Sequence, residues 1–461
     1  MNLLRTISLH TVLMLSAVCS ATDKPNIILI LADDQGWNGL SVPMDPEVPG
    51  SKSDFYETPH LAQLAGEGMR FSQGYAPAPV CSPTRHSIQF GISPAKTRVT
   101  FNDYTTRQHC DPELALANLI KKADPGYATA HFGKWHVSVE PELCGYDESD
   151  GNTTNLEGSN SKDKHDPKRV YGVTKRSVAF MGKAVAEKKP FFLQVSHYAD
   201  HLRFKSSPAM LAKYKAMTPG KRHTNPVFAG MNEDLDAGVG QIMAAIEKLG
   251  IKDNTYIVYT ADNGYDQSAD RLHGIAERKA WPLAYSKGFV FEGGVRVPFI
   301  VRGPGIKPNT FSSVPVVGYD LMPTFLELID PGFAVPEITE GGSLVSVLKN
   351  GGEGKIERPN DFIVFHYPNG VWPSQTSLIK GDYKLVKTWA FDRVEMFNLR
   401  TDLSEQKDLS QQLPGKTHQL HTALTEYLDR VNAVTPMDEE LSIDRIEPLM
   451  KKAVAQTVGE K

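Results

Sequence analysis

Residues 26–31 read NIILIL, an unbroken apolar run rich in β-branched side chains, and Asp33 and Asp34 follow almost at once. A strand with one wet face alternates apolar and polar residues. An unbroken run needs cover on both faces, which a parallel sheet between helices supplies. The pattern recurs at 127–132, 190–195, 255–260 and 295–301, and most of these runs end in a polar cluster. Between them lie helical patterns at 58–68, 81–91, 114–122, 173–187, 232–249 and 319–329. Alternation of this kind predicts an α/β fold, a mostly parallel sheet sandwiched by helices. After about Arg358 the pattern changes to short strands at 362–367, 376–380, 383–387 and 395–398, with a final helix over 417–431. This is a smaller C-terminal α+β subdomain, a short antiparallel sheet plus a helix. The polar stretch 145–169 reads as an exposed insertion, with a glycosylation sequon at Asn152–Thr154. The expected division is 1–21, 22–357 and 358–461.

The first 21 residues carry one early positive charge, Arg5, then an apolar stretch and small residues ending at Ala21. That is the pattern of a cleaved secretory signal and is too short for a membrane span. It predicts export to the periplasm or medium, by cleavage near Ala21 rather than lipid attachment at Cys19. A net charge of −4 and a pI near 6.4 provide no basic field, so nucleic acid is not an expected partner. Of the four cysteines, Cys19 would leave with the signal. An odd set of three then flags one thiol with a separate task. If that is Cys81, Cys110 and Cys144 are free either to pair or to stay reduced.

Chemistry collects where strands end, the edge at which open α/β sheets bind ligands. Asp33, Asp34, Asp262 and Asn263 offer only oxygen donors after two buried runs. Each pair alone could be a capped turn; together they favour a hard cation, Ca²⁺ or Mg²⁺. Lys134 and His136 follow a third run, and His197 and His201 a fourth, His197 being the more structural of the two. Lys287 sits on a glycine-flanked loop before Glu292-Gly293-Gly294. Cys81-Ser82-Pro83-Thr84-Arg85 places a cysteine where proline starts a helix, with unpaired N–H groups and Arg85 one turn on. Either a nucleophile for an anion or a buried structural cysteine fits these five residues.

Taken in order, these blocks resemble the type I sulfatases, of the superfamily with an alkaline-phosphatase-like core. Pro25–Asp34, Thr58-Pro59-His60-Leu61, Cys81-x-Pro-x-Arg85 with Gly91, Gly133-Lys134-Trp135-His136, Ser196–His201, Asp262-Asn263-Gly264 and Lys287-Gly288 through Glu292-Gly293-Gly294 cover nearly the whole chain. Thr84, Phe90 and Leu202-Arg203 depart from the family pattern, and 271–285 lacks its common Leu-Arg-Gly-Gly run, which leaves specificity open.

The resemblance implies a sulfuric ester hydrolase acting on a sulfated sugar or polysaccharide fragment. Cys81 would be oxidised to formylglycine by a formylglycine-generating enzyme, and the hydrated aldehyde would be the nucleophile. Asp33, Asp34, Asp262 and Asn263, with the Cys81-derived residue, would hold Ca²⁺. Arg85 would orient that residue, Lys134 and Lys287 would neutralise sulfate oxygens, His136 would take a proton and His201 would give one to the leaving alcohol. A phosphoester or phosphonate hydrolase, and a catalytically dead binder of sulfated glycans, are the alternatives. Arg98, Arg107, Arg203, Arg271 and His273 are candidate contacts for acidic sugars, and Trp281 or Trp372 for stacking. His366 and Trp372 are candidates by which the second unit closes the pocket.

Overall fold

The computed structural model describes residues 24–101, 107–266, 280–368 and 374–436. The expectations at 1–21 and Cys19, and at Arg271, His273 and Trp372, lie outside the described residues.

The first apolar run becomes β1 (Asn26–Ala32), which pairs in parallel with β6 (Phe191–Ser196) on one side and β7 (Thr255–Ala261) on the other. Beyond β6 come β4 (Ala128–Gly133) and β5 (Glu148–Ser149), also parallel. Beyond β7 lie β8 (Phe299–Arg302), antiparallel, then β2 (Met69–Phe71) and β9 (Thr310–Ser312). The eight-stranded order is β5-β4-β6-β1-β7-β8-β2-β9. A small pair, β3 (Gly74–Tyr75) with β10 (Val316–Val317), stands apart.

Both faces of β1 are dry, as its composition requires. Ile28 and Ile30 pack with α1 (Pro59–Glu67), α4 (Val170–Ala186) and α6 (Pro226–Lys248), through Leu61, Leu64, Val173, Phe180, Leu235 and Val239. Ile27, Leu29 and Leu31 pack with α2 (Cys81–Phe90), α3 (Leu116–Ala123) and α7 (Leu321–Ile329). A further helix, α5 (Pro208–Ala216), lies against α6. Each fully buried aliphatic side chain contributes about 1.5–3 kcal/mol. A charged residue anywhere in β1 is therefore excluded until the chain passes Ala32.

The second unit is the antiparallel sheet of β11 (Ile363–Tyr367), β12 (Gln375–Lys380), β13 (Tyr383–Thr388) and β14 (Arg393–Asn398), with α8 (Pro414–Arg430). Period-two alternation splits its faces. Val364, Leu378, Leu385 and Met396 meet Leu420, Leu424 and Leu428 of α8. Ile363, Phe365 and Tyr367 meet Tyr75, Val290, Phe291 and Val295 of the first unit. This corrects the expectation for His366. Its side chain is fully buried on the α8 face, with Nδ1 against Thr376 Oγ1 at 2.9 Å and Nε2 against the carbonyl of Val434 at 2.7 Å. It closes no pocket. Its neighbour Tyr367 faces the first unit instead, near enough to Lys287 and Cys81 to feel their charge.

The join between the units holds a buried charge cluster. Lys384 Nζ lies 2.8 Å from Glu292 and 3.0 Å from Glu405, with all three side chains fully buried. Arg296 donates to Glu292, and the N–H of Glu292 donates to Glu405 at 2.7 Å. Removing one partner of a buried set strands the others without water, which costs about 3–5 kcal/mol. Lys384→Ala is therefore expected to lose about that much stability in equilibrium urea unfolding. An unchanged midpoint would contradict the assignment of this cluster as the join.

Candidate active site

Four neighbouring parallel strands, β4, β6, β1 and β7, end at the same edge, and each hands the chain to a polar cluster. Main-chain hydrogen bonds extend the ladder past the strand ends. Lys134 N donates to Ser196 O (2.8 Å), His197 N to Leu31 O (3.0 Å), Asp33 N to Ala199 O (2.9 Å) and Asp262 N to Ala32 O (3.1 Å). The loops are thereby held as rigidly as the sheet, the condition for a preorganised site.

α2 delivers the cysteine. Cys81 is its first residue, Pro83 lies in its first turn, and Gly91 ends it in the left-handed conformation (φ 66°) that a Cβ disfavours. All ten of its residues are buried, so its polar side chains must find partners inside. Thr84 bonds Ala78, Ser82 donates to the carbonyl of His136 (3.0 Å), and Gln89 donates to Gln194 (2.8 Å).

Around Cys81 the charges pair one to one. Lys134 Nζ donates to both oxygens of Asp33, at 2.9 and 2.8 Å. Lys287 Nζ donates to both oxygens of Asp34, at 2.6 and 2.8 Å, and lies 3.4 Å from Cys81 Sγ. Arg85 donates through Nε (2.9 Å) and Nη2 (2.7 Å) to Asp262, and through Nη1 to the carbonyl of Lys134. Cys81 Sγ is 3.5 Å from Asp33 Oδ1 and 3.8 Å from Asp34 Oδ1. Gly288 N donates to Pro79 O (2.9 Å), which sets the Lys287 loop against the entry to α2.

Burial and these charges set the ionisation. Burial opposes the charge on Asp33, but Lys134, His201 and Arg85 outweigh it and hold the carboxyl well below its usual range. Asp34 is pushed up to about 7 by burial, against Lys287 and with help from Asp33 and Asp262. Burial and the Asp262 charge push the Cys81 thiol up. Burial, then Lys134 and Arg85, bring His136 down to about 2, so its imidazole is neutral. Burial and Lys287 pull His201 well down too.

One donor atom each from Asp33, Asp34, Cys81 and His201 lie within 4.8 Å of one another. Asn263 Nδ2 donates to Asp34 Oδ1 at 2.7 Å, while Asn263 Oδ1 is buried with no partner among the described residues. A buried amide oxygen with no donor beside a carboxylate cluster fits a hard cation. Asp262 Oδ1 accepts from Asp34 N at 3.1 Å and its Oδ2 is taken by Arg85. His136 and His201 lie at the same edge, His136 with a positive φ of 56°. His197 is fully buried and neutral.

Arg98 bonds the carbonyl of Asn432, and Arg107 and Arg203 are exposed. Trp281 is 52% exposed with the Arg222 guanidinium 5.7 Å from its ring. Cys110 and Cys144 are free thiols. The stretch 145–169 is not simply exposed. Thr153 accepts from Trp135 N through Oγ1 (2.9 Å) and from His136 N through its carbonyl (2.8 Å). Lys168, 2% exposed, donates to the carbonyl of His201 at 2.7 Å. Most of the stretch is exposed or half-buried, but Thr153 and Lys168 turn inward as hydrogen-bond partners for the loops of the site. Sequence reasoning missed Lys168 and Tyr367; the alternation of β11 was the available signal for Tyr367.

A family model described as Sulfatase matches residues 25–331, and one described as N-sulphoglucosamine sulphohydrolase, C-terminal, matches 281–433. Arylsulfatase A of Bos taurus is 31% identical over 78% of this chain and 74% of its own. N-acetylgalactosamine-6-sulfatase of Sus scrofa is 28% identical over 92% of this chain and 88% of its own. The crystal structure of Ps i-CgsB in complex with k-i-k-neocarrahexaose shares the fold at a TM-score of 0.74 and 24% identity, covering 93% of this chain and 99% of that one. A structure in complex with its substrate D-glucosamine-2-N,6-O-disulfate does so at 0.68 and 21%, over 89% and 98%.

Because Arg85 is the only side-chain donor to Asp262 closer than 3 Å among the described residues, Arg85→Ala leaves a buried carboxylate with weak compensation. The expected cost is about 3–5 kcal/mol in chemical unfolding, with Arg85→Lys intermediate because it cannot reproduce the fork.

Proposed function

Since this chain belongs to the sulfatase family of the alkaline-phosphatase-like superfamily and is a sulfuric ester hydrolase, we propose that it removes sulfate from a sulfated sugar or polysaccharide fragment, using formylglycine made from Cys81. The observation that carries this reading is the buried convergence of Cys81 with Asp33, Asp34 and Lys287 at the carboxyl edge of the sheet. Relatives that act on N-acetylgalactosamine 6-sulfate or bind a sulfated glucosamine support the sugar.

Asp33, Asp34, Asp262 and Asn263, with the residue derived from Cys81, would hold Ca²⁺; Mg²⁺ suits the same oxygens. Bound there, the cation supplies positive charge that favours an ionised hydroxyl and offsets charge on sulfate oxygens. The orphaned Oδ1 of Asn263 supports this assignment.

The chain's own groups do the rest. The aldehyde hydrates to a geminal diol, which Arg85 orients. One hydroxyl would release its proton to solvent and its oxygen would attack sulfur, and the bond from sulfur to the sugar oxygen would break with its electron pair going to that oxygen. His201, in its protonated form, would give the proton that makes it an alcohol. Lys134 and Lys287 balance the charge of the sulfate oxygens. Neutral His136 takes the proton of the second hydroxyl, the carbon–oxygen bond to sulfate breaks, and the aldehyde is restored as sulfate leaves. An alcohol nucleophile such as serine would lack that second exit.

We further take 22–357 as the catalytic unit, 358–461 as its C-terminal subdomain, and 1–21 as a signal removed on export. A formylglycine-generating enzyme is the maturation partner. No helix among the described residues is long and apolar enough to cross a membrane.

The test is sulfate release across defined sulfated saccharides, with the mass of the Cys81 peptide read on the same preparation. Activity is expected with the aldehyde at Cys81, and Cys81→Ala loses several orders of magnitude. An active preparation with an unmodified thiol overturns the nucleophile; turnover of phosphate esters and no sulfate ester overturns the substrate. Separately, Ca²⁺ at about 100 times its Kd is expected to add about 2.7 kcal/mol of stability. Asp34→Asn is expected to remove that shift in thermal unfolding.

A further inference from the structure

At the end of α2 remote from Cys81 lies a second recess. Gly91 O, just past that helix, accepts from Glu340 N at 2.9 Å and from Gly341 N at 3.2 Å, so the 337–341 loop hangs from α2. With Asn360 and the end of α8, this loop walls a cavity of about 500 Å³, the size of a site for a small organic ligand. The ten residues of α2 separate it from Cys81 by about 15 Å. Its base is polar and incomplete. Thr339 is 6% exposed, and its Oγ1 has no partner among the described residues. A Cβ built on Gly91 would meet Thr339 Cγ2 at 3.2 Å, so the methyl faces α2 and the hydroxyl is left for the cavity. A buried hydroxyl without a partner costs free energy that a ligand can return.

Both signs of charge surround that hydroxyl. Lys96 Nζ donates to Ile338 O at 2.7 Å and Arg430 Nη2 donates to Asn360 Oδ1 at 2.8 Å, which leaves each with further N–H groups. Glu340 accepts from Tyr427 Oη and from Ser93 N, both at 2.8 Å, and Glu337 stands exposed at the rim. His109 adds an imidazole to the wall. Two cations against two carboxylates give little net attraction for an ion of either sign. They do set donors beside acceptors, which a sugar hydroxyl, donor and acceptor at once, can use.

We propose that this cavity is a second, non-catalytic binding site for an uncharged, hydroxyl-rich sugar unit, with Thr339 Oγ1 at its base and Lys96 and Arg430 donating from its sides. This rests on the reading of the chain as a hydrolase of sulfated polysaccharide. An unsulfated unit held here keeps a partly desulfated chain attached between turnovers.

The experiment records saturation-transfer NMR of galactose, glucose and N-acetylgalactosamine, and of sodium sulfate and glucuronic acid as competitors, on the full chain and on Thr339→Val and Arg430→Met. A neutral sugar is expected to bind the wild type and to lose about three- to tenfold in affinity in either variant, the effect of one hydrogen bond. Thr339→Val is expected to unfold at no lower temperature than the wild type, because the hydroxyl it removes has no protein partner. Absence of binding by all three neutral sugars, or binding unchanged in both variants, overturns the proposal. Displacement of the sugar by sodium sulfate or glucuronic acid through the same residues overturns the ligand class. Should Thr339→Val fail to fold, Arg430→Met decides alone. On turnover, both variants are expected to raise KM for a sulfated polysaccharide by the same factor and to leave kcat and KM for 4-nitrophenyl sulfate unchanged. If the wild type desulfates no saccharide yet binds a sugar through Thr339, the functional reading fails and the cavity stands; if it desulfates saccharides and binds none here, only the cavity fails.

Discussion

The site depends on a neutral arrangement of buried charge. Asp33, Asp34 and Asp262 are each 1% exposed or less, and each has one cation, Lys134, Lys287 and Arg85 respectively. Removing an ion from water costs several kcal/mol, so none of the six could sit here alone. The pairing explains why the cations come from three separate parts of the chain. A single loop could not surround three carboxylates, but the ends of β1, β4 and β7, the start of α2 and the 287 loop can. The fold brings these together because β4, β6, β1 and β7 are neighbours and parallel. Their carboxyl ends have no choice but to meet.

That much was readable from residues. The run at 26–31 demanded cover on both faces, and β1 has it. Pro83 and Gly91 marked the first turn and the end of α2, and both stand there. The order of the blocks pointed to the sulfatase family. What was not readable depends on which way a side chain points. His366 and Tyr367 are adjacent, and a strand sends adjacent side chains to opposite faces. Choosing the histidine chose the α8 face. Lys168 was hidden by its company: in a stretch of Asp, Asn, Ser and Lys, nothing distinguishes the lysine that turns inward. Its burial is settled by carbonyl oxygens 33 and 34 residues away, and main-chain acceptors leave no trace in composition. The start of α6 was likewise missed by six residues, because Asn225 caps it ahead of the apolar pattern.

The second unit is less an appendage than a wall. Its sheet has no dry interior of its own on one face; Ile363, Phe365 and Tyr367 complete a core begun by Tyr75, Val290 and Phe291. Lys384 reaches across that core to Glu292, five residues after Lys287. Through this link, the loop that carries a site lysine is braced by a strand about a hundred residues later, and loop mobility is given up where the charge must stay fixed.

The complete enclosure of α2 has a consequence for when its chemistry can be set. Cys81 is 5% exposed at the head of a helix whose residues are all buried. No second protein can close its own active site around a side chain so placed. Any enzymatic alteration of Cys81 therefore precedes folding, and folding ends the opportunity. Each folded molecule keeps the state its cysteine had at that moment. On the reading proposed above, the fraction altered in a preparation would record a race between modification and folding.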